Sequence, residues 1–299
     1  MSTGRLERAR SVSAVVAQAV VTAVVGLIAI RLAGGPTSAL IVQAGALVVG
    51  ALIAVGLAFN PWRPGAKGAA VLVGVCLALL FAILGDAGPG VHRWIAAGPI
   101  VIQPASIVLP FVVWALAVAR TNWWAGALTG AFALVLAIQP DAASATALLL
   151  ALVALTVVRG RVAAPDVTAL LMALAATVWS WTRVDPLPAV AHVERVVPEA
   201  FAANPVAGIA AGVTLILLPL PFVVRVLNGG ERAPEPGLAA GLAGLWIGLV
   251  AGNLFGNYPA PVVGYGASLV VGWLASLGLV LSRPRPAPAP QWTIQRRER

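Results

Sequence analysis

Charge is scarce in this sequence. Asp, Glu, Lys and Arg make up only 10% of its 299 residues, against roughly 25% in a soluble domain. With 60% hydrophobic residues and a mean hydropathy of +0.96, the chain cannot clothe itself in a water-facing surface. It reads as an all-α polytopic membrane protein. No hydrophilic stretch is long enough to hold a soluble domain, so 1–299 reads as one transmembrane domain. Cysteine is nearly absent as well. The single Cys76 sits in an apolar run. It has no partner for an intrachain disulfide and too few companions for zinc, and reads as a small buried hydrophobe. No internal repeat is visible. No span centre carries the acid or base that a proton-coupled transporter needs, which argues against a transporter or lipid flippase.

What is present is a series of apolar runs. A helix needs about 20 apolar residues to cross the hydrocarbon core. Ten stretches qualify or come close: 11–32, 38–58, 69–85, 102–119, 124–139, 142–158, 165–182, 205–227, 236–256 and 263–282. The fifth and sixth are short and separated only by Gln139-Pro140-Asp141, so eight spans with a long hairpin is the competing count. The N-terminal MSTGRLERAR precedes an apolar run longer than that of a signal peptide, so the run reads as a retained first span.

With 1–10 in the cytoplasm and ten spans, only Arg31, Arg93, Arg183 and Arg195 of the nineteen Lys and Arg fall outside. The other fifteen fall inside, among them those of the Pro-rich tail 283–299. That bias fits the positive-inside rule and places both termini in the cytoplasm. It also accounts for the net charge of +9 without nucleic acid, because basic termini meet an anionic inner leaflet. The outer side then holds Asp86, Asp141, Asp185, Glu194 and Glu199 with both histidines, His92 and His192. Its two long connections, 85–101 and the extracytoplasmic loop 183–204, are where chemistry is expected.

Three segments carry the candidate residues. In GVHRWIAAGPIVIQPAS (90–106), Arg93 beside Trp94 reads either as a snorkelling cation with an aromatic anchor or as a phosphate ligand, since a guanidinium suits bidentate phosphate contact. Gln103 and Pro104 read as a helix start with Pro in the first turn, or Gln103 as a ligand. In AIQPDAASATALLL (137–150), Asp141 is placed to cap a helix N-terminus. An acid at the edge of hydrocarbon is also a functional candidate. In PAPVVGYGASLVVGWLASLGL (259–279), Tyr265 and Ser268 follow a Pro-Ala-Pro break, where irregular backbone can line a cavity. Small-residue helix packing with one interfacial Tyr is the alternative.

Taken in order, these three segments resemble the SEDS family, the FtsW/RodA/SpoVE membrane proteins of bacterial division and elongation. That family shows G-x-R-R-W-I-x-x-G-P-x-x-x-Q-P-S-E, then L-Q-P-D-L-G-T-A, then P-x-P-F-x-S-Y-G-G-S before a last apolar span. The resemblance covers nearly the whole chain, although family members are typically longer. It implies a bundle of about ten transmembrane helices in the bacterial cytoplasmic membrane. It also implies a peptidoglycan glycosyltransferase acting on lipid II, the undecaprenyl-pyrophosphate-linked disaccharide, with a penicillin-binding transpeptidase as partner. The motifs demand no cofactor; a divalent cation beside the substrate is left open.

The departures are as informative. The family's Gln-Pro-Ser-Glu reads Gln103-Pro104-Ala105-Ser106 here, and a family Lys falls at about Leu109. In the outer loop the family's catalytic Asp position reads Ala203. The expected substrate-binding set is Arg93, Trp94, Gln103, Arg183, Arg195, Tyr265 and Ser268. Asp141 and Glu199 are the catalytic candidates, with Glu199, Glu194 or Asp185 as a substitute base. The rival readings are a non-catalytic SEDS-like scaffold, or a polymerase or flippase for another lipid-linked glycan.

Overall fold

All ten apolar stretches are helical in a computed structural model, which describes residues 3–59, 65–86, 92–97, 100–119, 123–183, 187–228 and 236–282. Asp185 and the tail 283–299 lie outside the described residues. Twelve α-helices are α1 Thr3–Leu32, α2 Thr37–Phe59, α3 Ala66–Ala82, α4 Pro104–Ala119, α5 Trp123–Ile138, α6 Ala142–Arg159, α7 Ala164–Thr182, α8 Val196–Ala203, α9 Pro205–Ile216, α10 Leu220–Asn228, α11 Pro236–Phe255 and α12 Ala267–Leu281. Five helices are long and apolar enough to cross a membrane, six if α9 and α10 count as one bent span. Four more, α3, α4, α5 and α12, are apolar but of 10–17 residues. Length alone therefore vouches for fewer than the ten spans read from the sequence.

Three boundaries differ from that reading. The 205–227 run is broken between α9 and α10 by 42°. Pro219 and Pro221 have no N–H to continue the ladder. The carbonyls left short are met by side chains: Gln18 donates to the Leu217 oxygen at 2.7 Å and Trp273 to that of Leu218 at 3.2 Å. The last helix begins at Ala267, not 263, because 261–265 form turns. The connection 183–204 contains a short helix, the eight-residue α8. Within 85–101 a short antiparallel pair appears, β1 Ile95–Ala97 with β2 Ile100–Ile102, pairing Ile95 with Ile102.

Packing is tightest where side chains are smallest. Along the α6–α11 seam, Gly244, Gly248 and Gly252 face Leu150, Ala147 and Ala143, with no room for a Cβ, as in close-packed membrane helices. At the α4–α12 crossing the cause is more particular. Pro110 inside α4 cannot donate to the carbonyl of Ser106. Gly272 of α12 lies against that freed oxygen, where any Cβ would overlap it. Trp246, Trp273, Phe132 and Phe222 fill the centre of the core, and the Trp246 indole donates to the Ser276 hydroxyl at 3.0 Å.

Candidate functional site

The three motifs meet in one buried polar network. Pro104 opens α4, as the Gln-Pro corner predicts, and Gln103 just before it links the other two segments. Its backbone N–H donates to Ser268 Oγ at 2.8 Å, at the start of α12. Its side-chain amide donates to Asp141 Oδ2 at 2.8 Å and accepts from Ser106 Oγ at 2.9 Å. Asp141 caps α6: its carboxylate accepts from the Ser144 N–H at 3.1 Å and the Ser144 hydroxyl at 2.7 Å. The carboxylate is 0% exposed and takes three hydrogen bonds from its surroundings.

Arg93 lies beside this network. It is 2% exposed, with its guanidinium over the rings of Trp94 at 4.6 Å and Tyr258 at 4.9 Å. A snorkelling cation would show its head to water, whereas this one is enclosed by aromatic faces. The Tyr258 hydroxyl accepts from the Ala142 N–H at 3.0 Å, beside the Asp141 cap, and its ring meets Trp181 edge-on.

From Tyr258 the site continues into the connections that follow α7 and α11. Asn253, near the end of α11, donates to the carbonyls of Tyr258 at 2.7 Å and Glu194 at 3.0 Å. The Val193 carbonyl accepts from the Ala260 N–H at 3.1 Å, and that of His192 from the Tyr265 N–H at 2.9 Å. The 190–195 turn is closed by Glu194, whose carboxylate accepts from the Val190 N–H at 2.8 Å. Tyr265 lies tilted against His192, ring centroids 6.0 Å apart. Burial lowers the His192 pKa below its ordinary value and raises that of the Tyr265 phenol.

A residue missed in the sequence holds this loop from below. Gln43 of α2 is buried. It donates to the carbonyls of Val262 at 3.0 Å and Gly264 at 3.2 Å, and accepts from the Gly266 N–H at 3.1 Å. Val262 has φ +63°, a left-handed conformation costly for a β-branched residue and found where surroundings over-determine it. A lone Gln in an apolar span was the available signal. Asn253 and Tyr258 offered none stronger than their neighbours did.

Not every candidate joins the network. Arg183 stacks over Trp179 at 5.9 Å and points Nη1 at the Ala137 and Ile138 carbonyls at 3.5 and 3.4 Å, the open C-terminal end of α5. Arg195 and Glu199 form an i,i+4 pair at 3.2 Å along α8, with side chains 60% and 35% exposed. Ala203 ends the same helix and is exposed. Among the described residues no group of three or more His, Cys, Asp and Glu could hold a metal ion.

Neither family models nor curated proteins yield a match to this chain. Solved structures do. The Thermus thermophilus rod shape determining protein RodA matches with a TM-score of 0.63, at 23% identity, over 89% of this chain and 94% of that one. An aspartate-to-alanine mutant of the same protein matches with a TM-score of 0.65, at the same identity and coverage. The fold is that of RodA. The SEDS-like membrane bundle implied by the motifs is thus the architecture observed, across nearly the whole chain. In this RodA fold, the segments around Gln103, Asp141 and Ser268 converge at one end of the bundle, beneath the loops that carry His192 and Tyr265.

Proposed function

We propose that this protein binds an undecaprenyl-pyrophosphate-linked sugar, lipid II in the first instance, at the outer face of the bacterial cytoplasmic membrane, as a RodA-like component of cell-wall assembly. One observation supports the reading most. In a RodA fold, three motif segments up to 165 residues apart close on a single network through Gln103, next to a buried cation and under linked loops. Both termini are then cytoplasmic, and a penicillin-binding transpeptidase is the expected partner. The Arg195 side chain is the open cation for the pyrophosphate. Arg93, fixed over two rings, and Trp94 form the inner wall, with Tyr265 and Arg183 at its rim. Gln103, Asp141 and Ser268 position those walls, because their hydrogen bonds are spent on one another.

Polymerisation would need a carboxylate to take the proton of the acceptor sugar hydroxyl as that oxygen bonds to the anomeric carbon and the pyrophosphate leaves with its electron pair. The geometry of α8 favours a second element of the reading: binding with weak or no turnover. Ala203 cannot accept a proton. Glu199 stands about one turn, roughly 5.4 Å, away on the same helix and already faces Arg195. The test uses purified protein and labelled lipid II. Wild type is expected to bind and to polymerise poorly, Arg195→Gln, at an exposed side chain, to bind more weakly at a nearly unchanged melting temperature, and Ala203→Asp to gain polymerisation. Robust wild-type polymerisation abolished by Glu199→Gln would establish a relocated base and defeat the weak-turnover reading. Absence of lipid II binding would defeat the whole.

A further inference from the structure

Arg31 is the outer cation that the site does not use. It lies in the last turn of α1 and is exposed. Beside it, between α1 and α2, runs a groove of about 480 Å³, lined by Leu27, Ile28 and Leu32 on one wall and by Leu40 and Ile41 on the other. That volume falls within the roughly 300–1,000 Å³ of ligand pockets. The two helices meet along only part of their length: α2 packs chiefly on α12, while α1 is shared among α9, α8 and α2. A tight connection then returns the chain, with Gly34 at φ +79°.

The surface of the groove is wholly apolar, and Arg31 is the one charged residue along it. It also lies at the membrane surface, because α1 ends at Leu32 and α2 starts at Thr37. On the same helix faces, one and two turns further in, Val24 and Val20 on α1 and Val48 and Leu52 on α2 are exposed. The groove therefore opens onto an apolar track directed toward the bilayer centre. A ligand matching this surface has an anion at one end and an aliphatic chain behind it.

We propose that the α1–α2 groove binds an anionic phospholipid, its phosphate on Arg31 and one acyl chain between Ile28 and Ile41. Arg31 supplies the bidentate phosphate contact, and burial of the chain in a preformed concavity supplies the rest. The site is separate from the Gln103 network and does not depend on the proposed lipid II binding there.

The test is lipid binding by delipidated protein in detergent, read by native mass spectrometry with phosphatidylglycerol and phosphatidylcholine of identical chains. Wild type should prefer phosphatidylglycerol about five-fold, the worth of one surface Arg near an anionic headgroup. Arg31→Gln should erase that preference. Ile41→Trp, which fills the groove, should weaken both lipids, while Val206→Trp on another exposed apolar face should change neither. A photoreactive phosphatidylglycerol on wild-type protein should label peptides within 27–44. An intact preference in Arg31→Gln would make Arg31 an interfacial anchor only. Equal losses in Ile41→Trp and Val206→Trp would reduce the groove to ordinary annular lipid contact, and labels only outside 27–44 would overturn the site.

Discussion

Two carboxylates of this protein, Asp141 and Glu199, were both candidates for chemistry, and their surroundings could hardly differ more. Asp141 is sealed in the bundle and holds the Ser144 N–H, the Ser144 hydroxyl and the Gln103 amide. Glu199 stands on a short helix of the 183–204 connection, part exposed, against an even more exposed Arg195. A carboxylate that accepts three hydrogen bonds from the fold serves as an anchor, because moving a proton there would break bonds that order three segments. One on a loop helix is free to meet a substrate but is held in place by little. This end of the molecule thus separates rigid positioning from accessible side chains, and the positioning half is the more completely built.

The strongest way to break this contrast is at Asp141. Asp141→Ala removes a helix cap and leaves buried donors without an acceptor, so it should cost about 2–4 kcal/mol of stability. Unfolding in detergent would measure it, and a loss below about 1 kcal/mol would show the network to be slack. Gln43→Leu should cost somewhat less, about 1–3 kcal/mol, since it strands the Gly266 N–H and relieves no charge. Hydrogen exchange should accelerate at 262–266 and not along α6. Glu199→Gln should shift stability by no more than about 0.5 kcal/mol, as exposed ion pairs do; a larger loss would mean that α8 leans on the pair.

The faintest effect concerns pH. Burial depresses the His192 pKa in the folded state, so the unfolded chain binds the proton more readily. Its contribution is complete above the ordinary His pKa of about 6.5 and declines as pH falls through the lower folded value. Stability should therefore drop gently on acidification below about pH 6.5, and His192→Gln should flatten that slope. An unchanged slope would place the ring in water.

What could be read in the sequence was local. Gln103-Pro104 announced a helix start, and Pro140-Asp141 followed by small residues announced a cap, because each effect acts within one helical turn. Hydropathy located the apolar stretches, since each meets either an apolar exterior or the packed core along its length. Averaging over a window hid the Pro219–Pro221 break, which only the side chains of Gln18 and Trp273 make tolerable. The linkage of Gln103 to Ser268, of Asn253 to Glu194 and of Gln43 to the 262–266 turn lay beyond reach for another reason. Each joins a side chain to a backbone group of a distant segment, and a backbone N–H or carbonyl carries no sequence signature. The α8 helix was masked by its short length within a connection.

Gln43 has a consequence for how the chain is assembled. It reaches the bilayer with α2, yet its three partners lie 219, 221 and 223 residues further on. During synthesis an amide therefore waits in a nonpolar medium, where each unsatisfied polar group is costly, until almost the last helix has been delivered. Chains that stop before residue 262 can never satisfy it. The same side chain that fixes the finished loop thus distinguishes complete molecules from truncated ones, and gives membrane quality control a polar mark on the second helix of every unfinished copy.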